Sequence, residues 1–274
     1  MMPPAILIIP GSFSTAQMYY SLQAAITALS PTQETYMANL PSAIRNPPEQ
    51  PATLLDDATF FGGLIEKLLP AANHNTAESD ESSKDIILVA HSYGGVVATE
   101  ALRGVSKQER LKAGKSGGGV IRVVYLAAHV PREGSSLEDT VGPPPEGMVA
   151  VGKDNFLRFL DVETIAKATF PDYPLDLALG QVRAMGRHSN ASFTSKVTYE
   201  GWRDVAVSWI LCERDLIIPP AVQRGYIDRI GQESGREVDL HVLDAGHCPN
   251  VTAPEALAEV LVRIVQAEVA DQMR

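Results

Sequence analysis

The segment from Asp85 to Glu100 constrains the fold of this chain more than any other part of the sequence. It starts with a continuously apolar run, Ile86 to Ala90, and continues through His91, Ser92 and Tyr93 into two glycines and a mostly apolar stretch. A run that is apolar at every position is typical of a strand buried on both faces of a sheet. Small residues two positions before and two positions after Ser92 allow the strand and the next element to approach closely. The segment therefore predicts a buried strand, a tight turn at Ser92, and then a helix.

Other apolar runs alternate with helical patterns along the chain, and this alternation predicts a parallel sheet covered by helices on both faces. The predicted strands are Ala5 to Ile9, Glu34 to Ala38, Asp85 to Ala90, Val120 to Ala127, Ala206 to Cys212 and Glu237 to Leu243. The predicted helices are about Thr15 to Leu29, Leu54 to Leu69, Gly94 to Arg103, Pro220 to Gln232 and Ala253 to Asp271. Thr252 and Glu255 have the spacing of a capping box at the start of the last helix. The pattern thus predicts an α/β fold with a mostly parallel six-stranded sheet.

The segment 131–204 interrupts this alternation. It contains a Pro-Pro-Pro run at 143–145 and short helix-like pieces near Asn155 to Leu160, Val162 to Thr169 and Leu175 to Met185. Because the segment is short and its apolar residues need another surface to cover them, we interpret it as a small helical cap inserted into a core of residues 1–130 and 205–274. Two polar stretches, 71–84 and 106–119, are predicted to be surface loops.

Composition and charge exclude several classes of function. The chain has 33 acidic and 23 basic residues and a net charge of −10, which disfavours binding to nucleic acid or anionic lipid. No apolar run approaches the roughly 20 residues that cross a bilayer, and the N-terminus lacks the features of a secretory signal. Cys212 and Cys248 are too few for a disulfide scaffold or a thiolate zinc site. We therefore expect a cytoplasmic protein without a metal site. The oligomeric state stays open, with a homodimer as one option.

Ser92 at the predicted turn is the candidate nucleophile. A serine hydroxyl is a weak nucleophile that needs a base. Where a nucleophilic serine lies in a tight strand-to-helix turn, the acid and then the histidine follow it along the chain. His247 lies in the turn after the last predicted strand and is the candidate base. Asp215 and Glu213 both lie just past the preceding strand. We favour Asp215 as the acid because it lies further into the loop, from which a carboxylate can reach the imidazole.

Together these motifs resemble those of the α/β-hydrolase fold superfamily, in particular its compact cofactor-free esterases and hydroxynitrile lyase-like enzymes. The resemblance spans nearly the whole chain and rests on Ile8 to Phe13, Ala90 to Gly95, Tyr125 to Ala128, Cys212 to Asp215 with Ile218-Pro219, and Asp244 to His247. It implies that no cofactor is needed and that an oxyanion hole is formed by the N–H group of Tyr93 and that of Ser12 or Phe13. Pro10 departs from the family, which usually carries histidine at this position.

Five further residues are candidate substrate contacts. His129 follows a predicted strand at a place where an apolar pocket residue would be ordinary, so it either contacts substrate or is a polar residue with a partner in the protein. Phe156, Phe159, Phe170 and Tyr173 either line an apolar pocket or form the packing of the cap. The other histidines considered, His74, His188 and His241, are interpreted as surface residues or as residues whose hydrogen bonds are satisfied internally.

These observations predict a serine hydrolase that cleaves a carboxylic ester or lactone of a small to medium hydrophobic metabolite, as in secondary metabolism. Ser92, His247 and Asp215 would form a catalytic triad and an acyl-enzyme. The alternative is a non-hydrolytic lyase, cyclase or acyl-transfer enzyme that uses the same residues. A non-catalytic ligand receptor is a further alternative, although binding alone does not need the acid.

Overall fold

The computed structural model describes residues 3–69, 84–115 and 118–273. In this part of the chain the strands are β1 (Ala5–Ile9), β2 (Thr35–Met37), β3 (Ile86–His91), β4 (Val120–Leu126), β5 (Val149–Val151), β6 (Phe156–Phe159), β7 (His188–Ser189), β8 (Ala206–Cys212) and β9 (Asp239–Leu243). The α-helices are α1 (Tyr20–Leu29), α2 (Pro41–Ile44), α3 (Leu54–Leu68), α4 (Gly94–Ala101), α5 (Lys107–Lys112), α6 (Leu137–Val141), α7 (Val162–Thr169), α8 (Leu175–Ala184), α9 (Asn190–Thr194), α10 (Pro220–Ser234), α11 (Pro249–Thr252) and α12 (Pro254–Gln272). None of these helices is long and apolar enough to span a membrane. Of the two predicted loops, 71–84 lies outside the described residues except for Lys84, and 106–119 contains α5.

Six strands form one parallel sheet in the order β2-β1-β3-β4-β8-β9, which confirms the predicted α/β fold. The register pairs Ile9 with Ala90 and His91 with Leu126. The carboxyl ends of β1, β3 and β4 therefore lie side by side. In open parallel sheets this edge is where ligands bind.

Successive residues of the central strands point to opposite faces of the sheet, and different helices cover each face. Leu7 and Ile9 pack into a cluster that includes residues of α3, α4 and α10, whereas Ile6 and Ile8 pack against residues of α1 and α12. Because both faces are covered, every residue of β1 and β3 is buried. This explains why the two strands are nearly continuous apolar runs.

Segment 131–204, called the cap below, contains β-structure that the sequence pattern did not predict. Strands β5, β6 and β7 form a separate antiparallel sheet, so the predicted helix near Asn155 to Leu160 is wrong. This segment is strand β6, and one of its two pairing partners, β7, lies about 30 residues further along the chain, where a local pattern cannot show it. The predicted pieces Val162 to Thr169 and Leu175 to Met185 are indeed helices, α7 and α8. The cap thus combines helices with a small sheet.

The start of the last helix also differs from the prediction. Helix α12 begins at Pro254, and Thr252 belongs to the preceding short helix α11. The Thr252 hydroxyl donates a hydrogen bond of 2.9 Å to Asp172 of the cap. The predicted capping box with Glu255 therefore does not form, and Thr252 instead connects the core to the cap.

Candidate active site

Ser92 lies in the turn between β3 and α4, at the carboxyl edge of the sheet. Its φ of 55° is in the left-handed region, which a non-glycine residue adopts only when its surroundings hold it there. Gly94 has no room for a side chain, since a Cβ atom there would lie 2.6 Å from the carbonyl oxygen of Ile9. The missing side chain lets α4 pass against the end of β1. The turn therefore holds the Ser92 side chain at the sheet edge, where it is 6% exposed.

Ser92, His247 and Asp215 form a hydrogen-bonded series. The Ser92 hydroxyl donates to Nε2 of His247 over 3.0 Å, and the Nδ1–H group of His247 donates to Oδ2 of Asp215 over 2.9 Å. All three residues are buried. Glu213, the competing acid, is exposed. The structure thus brings Asp215 to the imidazole, and the series can move a proton from the serine hydroxyl to the histidine.

Asp215 is held in place by three further hydrogen bonds. Its Oδ1 atom accepts from the N–H groups of Ile217 and Ile218 over 2.8 Å and 2.9 Å, and its Oδ2 atom accepts from the Gln223 amide over 3.3 Å. Burial alone would raise the pKa of the Asp215 carboxyl, but His247 and these N–H groups outweigh burial and hold the pKa below its usual range. Asp215 is therefore ionised at neutral pH and can stabilise a positively charged imidazole.

A second histidine, His91, lies beneath the first. The N–H group of Gly11 donates to the Tyr19 hydroxyl over 3.0 Å, and that hydroxyl donates to Nδ1 of His91 over 2.6 Å. The Nε2–H group of His91 donates to the carbonyl oxygen of His247 over 2.8 Å. Burial, together with the nearby His247, lowers the pKa of His91 to about 3, so the ring is neutral. The sequence pattern did not mark His91 or Tyr19 as functional residues. His91 is distinguished only by its position next to Ser92, and no local pattern distinguishes Tyr19.

The loop after β1, residues 10–14, is called the oxyanion loop below. The resemblance implied Ser12 or Phe13 as an N–H donor beside Tyr93. The N–H group of Phe13 donates to Nδ1 of His188 over 3.3 Å and is thus used within the protein. In the described part of the chain, neither the Ser12 N–H group nor the Tyr93 N–H group donates to a backbone carbonyl in the turns and loops. Ser12, Phe13 and Tyr93 all line the same cavity as Ser92, but the Phe13 N–H group is bonded to His188, so Ser12 is the better candidate partner of Tyr93.

The side chain of Tyr93 is bonded to a buried acid that sequence reasoning missed. The Tyr93 hydroxyl donates to Oδ2 of Asp57 over 2.9 Å, and the N–H group of Ser42 donates to Oδ1 over 2.9 Å. Burial raises the pKa of Asp57 to about 6, and the bonds from Ser42 and Tyr93 offset only part of this effect. A single Asp in an amphipathic helix pattern gives no sign of such an environment.

A cavity of about 410 Å³ opens beside Ser92 and His247. Its apolar lining includes Leu137, Met148, Leu157, Phe159, Phe193 and Ile217. His129 also lines the cavity, and its Nδ1 atom is hydrogen-bonded to the Tyr226 hydroxyl over 3.1 Å. Burial lowers the pKa of His129 to about 3, with a smaller contribution from His247. Among the described residues, no group of three or more His, Cys, Asp or Glu side chains could hold a metal ion.

The four cap aromatics divide between the cavity and the packing of the cap. Phe159 lines the cavity, whereas Phe156, Phe170 and Tyr173 are not among its lining residues. Phe156 is fully buried under the guanidinium of Arg187, whose central carbon lies 5.7 Å from the ring centroid. Phe170 belongs to a buried cluster, and Tyr173 packs against it. For these three residues the structure supports the packing alternative.

Comparison with known proteins places this chain in a family. The sequence profile of the alpha/beta hydrolase family matches residues 6–260. A probable hydrolase from a Phoma species is 33% identical over 264 residues, which cover 96% of this chain and 99% of that protein. Among solved structures, a pyrethroid hydrolase from Sphingobium faniae has a TM-score of 0.70 at 18% identity and covers 97% of this chain and 99% of its own. A methylesterase from Arabidopsis has a TM-score of 0.68 at 18% identity, with 96% and 99% covered. The two structures share the fold, and the profile and the Phoma relative show that the chain belongs to the alpha/beta hydrolase family.

Proposed function

We propose that this protein is a serine hydrolase that cleaves a carboxylic ester or lactone of a small to medium hydrophobic metabolite without a cofactor. The observation that carries the proposal is the hydrogen-bonded series of Ser92, His247 and Asp215 at the wall of an apolar cavity. A nucleophile, its base and the group that orients the base are the arrangement that acyl transfer requires.

In the first half of the reaction, the Ser92 Oγ atom attacks the carbonyl carbon as its proton passes to Nε2 of His247. The Nδ1–H bond to Asp215 keeps Nε2 free to accept that proton, and the carboxylate stabilises the imidazolium. The tetrahedral oxyanion is bound by the N–H groups of Ser12 and Tyr93. Donors of this type contribute roughly 3 kcal/mol each at such sites.

In the second half, His247 gives its proton to the leaving alcohol as the carbon–oxygen bond of the ester breaks and the acyl-enzyme forms. Water then attacks the acyl carbon, with His247 as the base, and the acid leaves as Ser92 regains its proton. For a lactone, the alcohol and the acid remain parts of one product.

Two side chains that line the cavity could act as a nucleophile, Ser92 and Cys248, and Ser92 is the better of the two. Burial, together with the nearby Asp215, raises the pKa of the Cys248 thiol well above its usual value. A thiol needs its thiolate form to attack, so Cys248 is unreactive at neutral pH. Cys212 and Cys248 are both unpaired, which fits the reducing cytoplasm that we propose as the location.

The charge of the cavity favours a neutral substrate. Among its described lining residues there is no lysine or arginine, and Glu138 supplies a carboxylate. An uncharged ester is not repelled there, whereas the anionic acid formed from it is, which favours release of the product. The methylesterase and the pyrethroid hydrolase that share the fold have names that fit hydrolysis of an ester, and we extend that chemistry to this chain.

The test is to react the wild-type protein and Ser92→Ala with a fluorophosphonate probe and a panel of p-nitrophenyl esters. We expect labelling and hydrolysis in the wild type only, and a label located on Ser92 by peptide mass analysis. Hydrolysis in ¹⁸O-water should place one ¹⁸O atom in the carboxyl group of the product. If the substrate is consumed but its product contains no ¹⁸O, the lyase or cyclase alternative replaces the proposed hydrolase. A label on another residue would refute Ser92 as the nucleophile.

A further inference from the structure

The backbone of Phe13 in the oxyanion loop is bound on both sides by one segment of the cap. Its N–H group donates to Nδ1 of His188 over 3.3 Å, and its carbonyl oxygen accepts from the N–H group of Gly186 over 3.3 Å. Phe13 has a φ of 60°, which is unfavourable for an aromatic residue and persists only when neighbouring groups hold it. The cap therefore supports a strained loop that belongs to the core.

The hydrogen bonds of His188 determine which ring nitrogen carries the proton. The Ser192 hydroxyl donates to the carbonyl oxygen of Ser189 over 2.8 Å, so its oxygen is free to accept from the Nε2–H group of His188 over 3.1 Å. Nδ1 is then unprotonated and accepts from Phe13. The ring is fully buried, and burial lowers the pKa of His188 to about 3, so this arrangement persists at neutral pH.

The His188 ring also packs against the rings of both Phe13 and Tyr93. Its centroid is 5.3 Å from that of Phe13 and 5.2 Å from that of Tyr93. The Phe13 N–H group belongs to the peptide group that links Ser12 to Phe13, and the Ser12 N–H group lies one peptide group earlier in the same loop. Bonds that fix the Phe13 backbone therefore also restrain the orientation of Ser12. One imidazole thus contacts the loop that carries one donor and the residue that carries the other.

We propose that His188 is a positioning residue that holds the oxyanion loop so that the Ser12 N–H group faces the reacting carbonyl. The proposal rests on the proposed function of this site. It makes a cap residue necessary for transition-state stabilisation, although His188 itself touches no reacting atom.

Two substitutions separate the role of Nδ1 from that of Nε2. In His188→Asn the side-chain oxygen can take the place of Nδ1 and accept from Phe13. In His188→Gln the amide can take the place of Nε2 and bond to Ser192, but it leaves the Phe13 N–H group without its acceptor. Loss of one oxyanion donor lowers kcat by about 100- to 1000-fold, so a displaced donor should lower it by about 10- to 100-fold.

We expect His188→Gln to lower kcat by that factor with KM changed by less than about threefold, and His188→Asn to stay within about fivefold of the wild type. A trifluoromethyl ketone forms a tetrahedral adduct on serine, and its affinity should fall in the Gln variant as kcat falls. The corresponding methyl ketone, which forms far less adduct, should bind equally to both variants.

Ser189→Ala is the matched control, because it removes a buried bond of the same cap strand to the Ala52 carbonyl (2.6 Å) and leaves the oxyanion loop alone. It should lower Tm without changing the ratio of the two ketone affinities. Equal ratios in wild type and His188→Gln, or an equal fall in Ser189→Ala, would overturn the proposal. Amide exchange at Phe13 should accelerate in the Gln variant only, and unchanged exchange would also overturn it. If the wild type cleaves no ester and binds neither ketone, the proposed function fails, and amide exchange still tests the bond to Phe13.

Discussion

Asp57 should make the stability of this protein fall as the pH rises from about 4 to 6. Its carboxyl is fully buried beneath the Tyr93 hydroxyl, and burial raises its pKa from an ordinary 3.8 to about 6. In this window the folded chain binds more protons at this site than the unfolded chain, and stability then decreases with rising pH. The pKa difference corresponds to about 3 kcal/mol, a stabilisation present below about pH 4 and lost above about pH 6.

Asp57→Asn removes the titratable carboxyl, so comparing the variant with the wild type measures what that carboxyl contributes to stability at each pH. An amide can accept only one of the two hydrogen bonds from Tyr93 and Ser42, so at pH 4 the variant should be less stable than the wild type by about 1 to 3 kcal/mol. Urea denaturation at constant ionic strength should show the stability of the variant, relative to wild type, improving by about 2 kcal/mol between pH 4 and pH 7.

Asp56→Asn provides the control of opposite sign. The N–H group of Thr53 lowers the pKa of Asp56, because it stabilises the ionised carboxylate in the folded protein. The contribution of Asp56 to the free energy of unfolding is therefore lost only as the pH falls below the ordinary pKa of an aspartate. The stability difference between Asp56→Asn and wild type should be constant from pH 5 to pH 7. A difference that is equally constant for Asp57→Asn would refute the argument that burial raises the pKa of Asp57.

Three predictions concern catalysis. Ser92→Ala should lower ester hydrolysis by several orders of magnitude with little change in Tm, and substantial turnover by the folded variant would refute the nucleophile assignment. Asp215→Asn should lower kcat by up to about 10⁴-fold, whereas Glu213→Gln should have little effect because Glu213 is exposed. If steady-state kinetics showed the larger loss of kcat in Glu213→Gln, the assignment of Asp215 as the acid would be wrong. Phe159→Ala should raise KM for a bulky ester more than for a short acetate ester, whereas Phe170→Ala should lower Tm without changing the ratio of the two KM values; equal behaviour of both variants would contradict their different positions.

The core could be predicted because its secondary structure is visible in local patterns. The apolar run from Ile86 predicts a strand buried on both faces, and the small residues around Ser92 predict the turn and the helix that follow. Strand β3 continues one residue beyond the prediction, to His91, because His91 pairs with Leu126 of the next strand. Such extensions depend on a neighbouring strand, and a single segment does not show them.

The difference between the predicted helix and the observed strand near Phe156 also bears on the two alternatives for its side chain. Residues three apart lie on the same face of a helix, so a helix would bring Phe156 and Phe159 to one surface. In a strand they point to opposite faces, and residues two apart share a face. Leu157 and Phe159 accordingly line the cavity, while Phe156 is buried on the other side of β6.

His188 could not be recognised from the sequence, because its partner Phe13 is 175 positions away and no local pattern marks either residue. An isolated histidine is usually a surface residue or one with internal partners, and His188 does have internal partners. What distinguishes it is that one of those partners is the strained backbone of the oxyanion loop.

The cap is attached to both loops on which the proposed chemistry depends. His188 binds the backbone of Phe13, and Asp172 accepts from the N–H group of Gly246 over 2.8 Å, next to His247. A cap that lifted as one body would break both bonds. A hydrogen bond to an ionised carboxylate is worth about 1.5 to 3 kcal/mol, and the lost packing would add to this. A large opening of the cap would therefore disturb the oxyanion loop and the histidine loop together.

We accordingly expect substrate to enter through the existing mouth of the cavity. Leu216, Ile217 and Val141 line the cavity and are exposed, with Leu216 at 62%. Exposed apolar side chains at the rim of a pocket are typical of a surface that receives an apolar ligand. Because these three residues are distant from the Phe13 backbone in sequence and make no bond to it among the described contacts, the mouth can vary without moving the oxyanion loop. The rim side chains are thus separate from the oxyanion loop, whereas the backbone N–H group of Ile217 is tied to the triad through its hydrogen bond to Asp215.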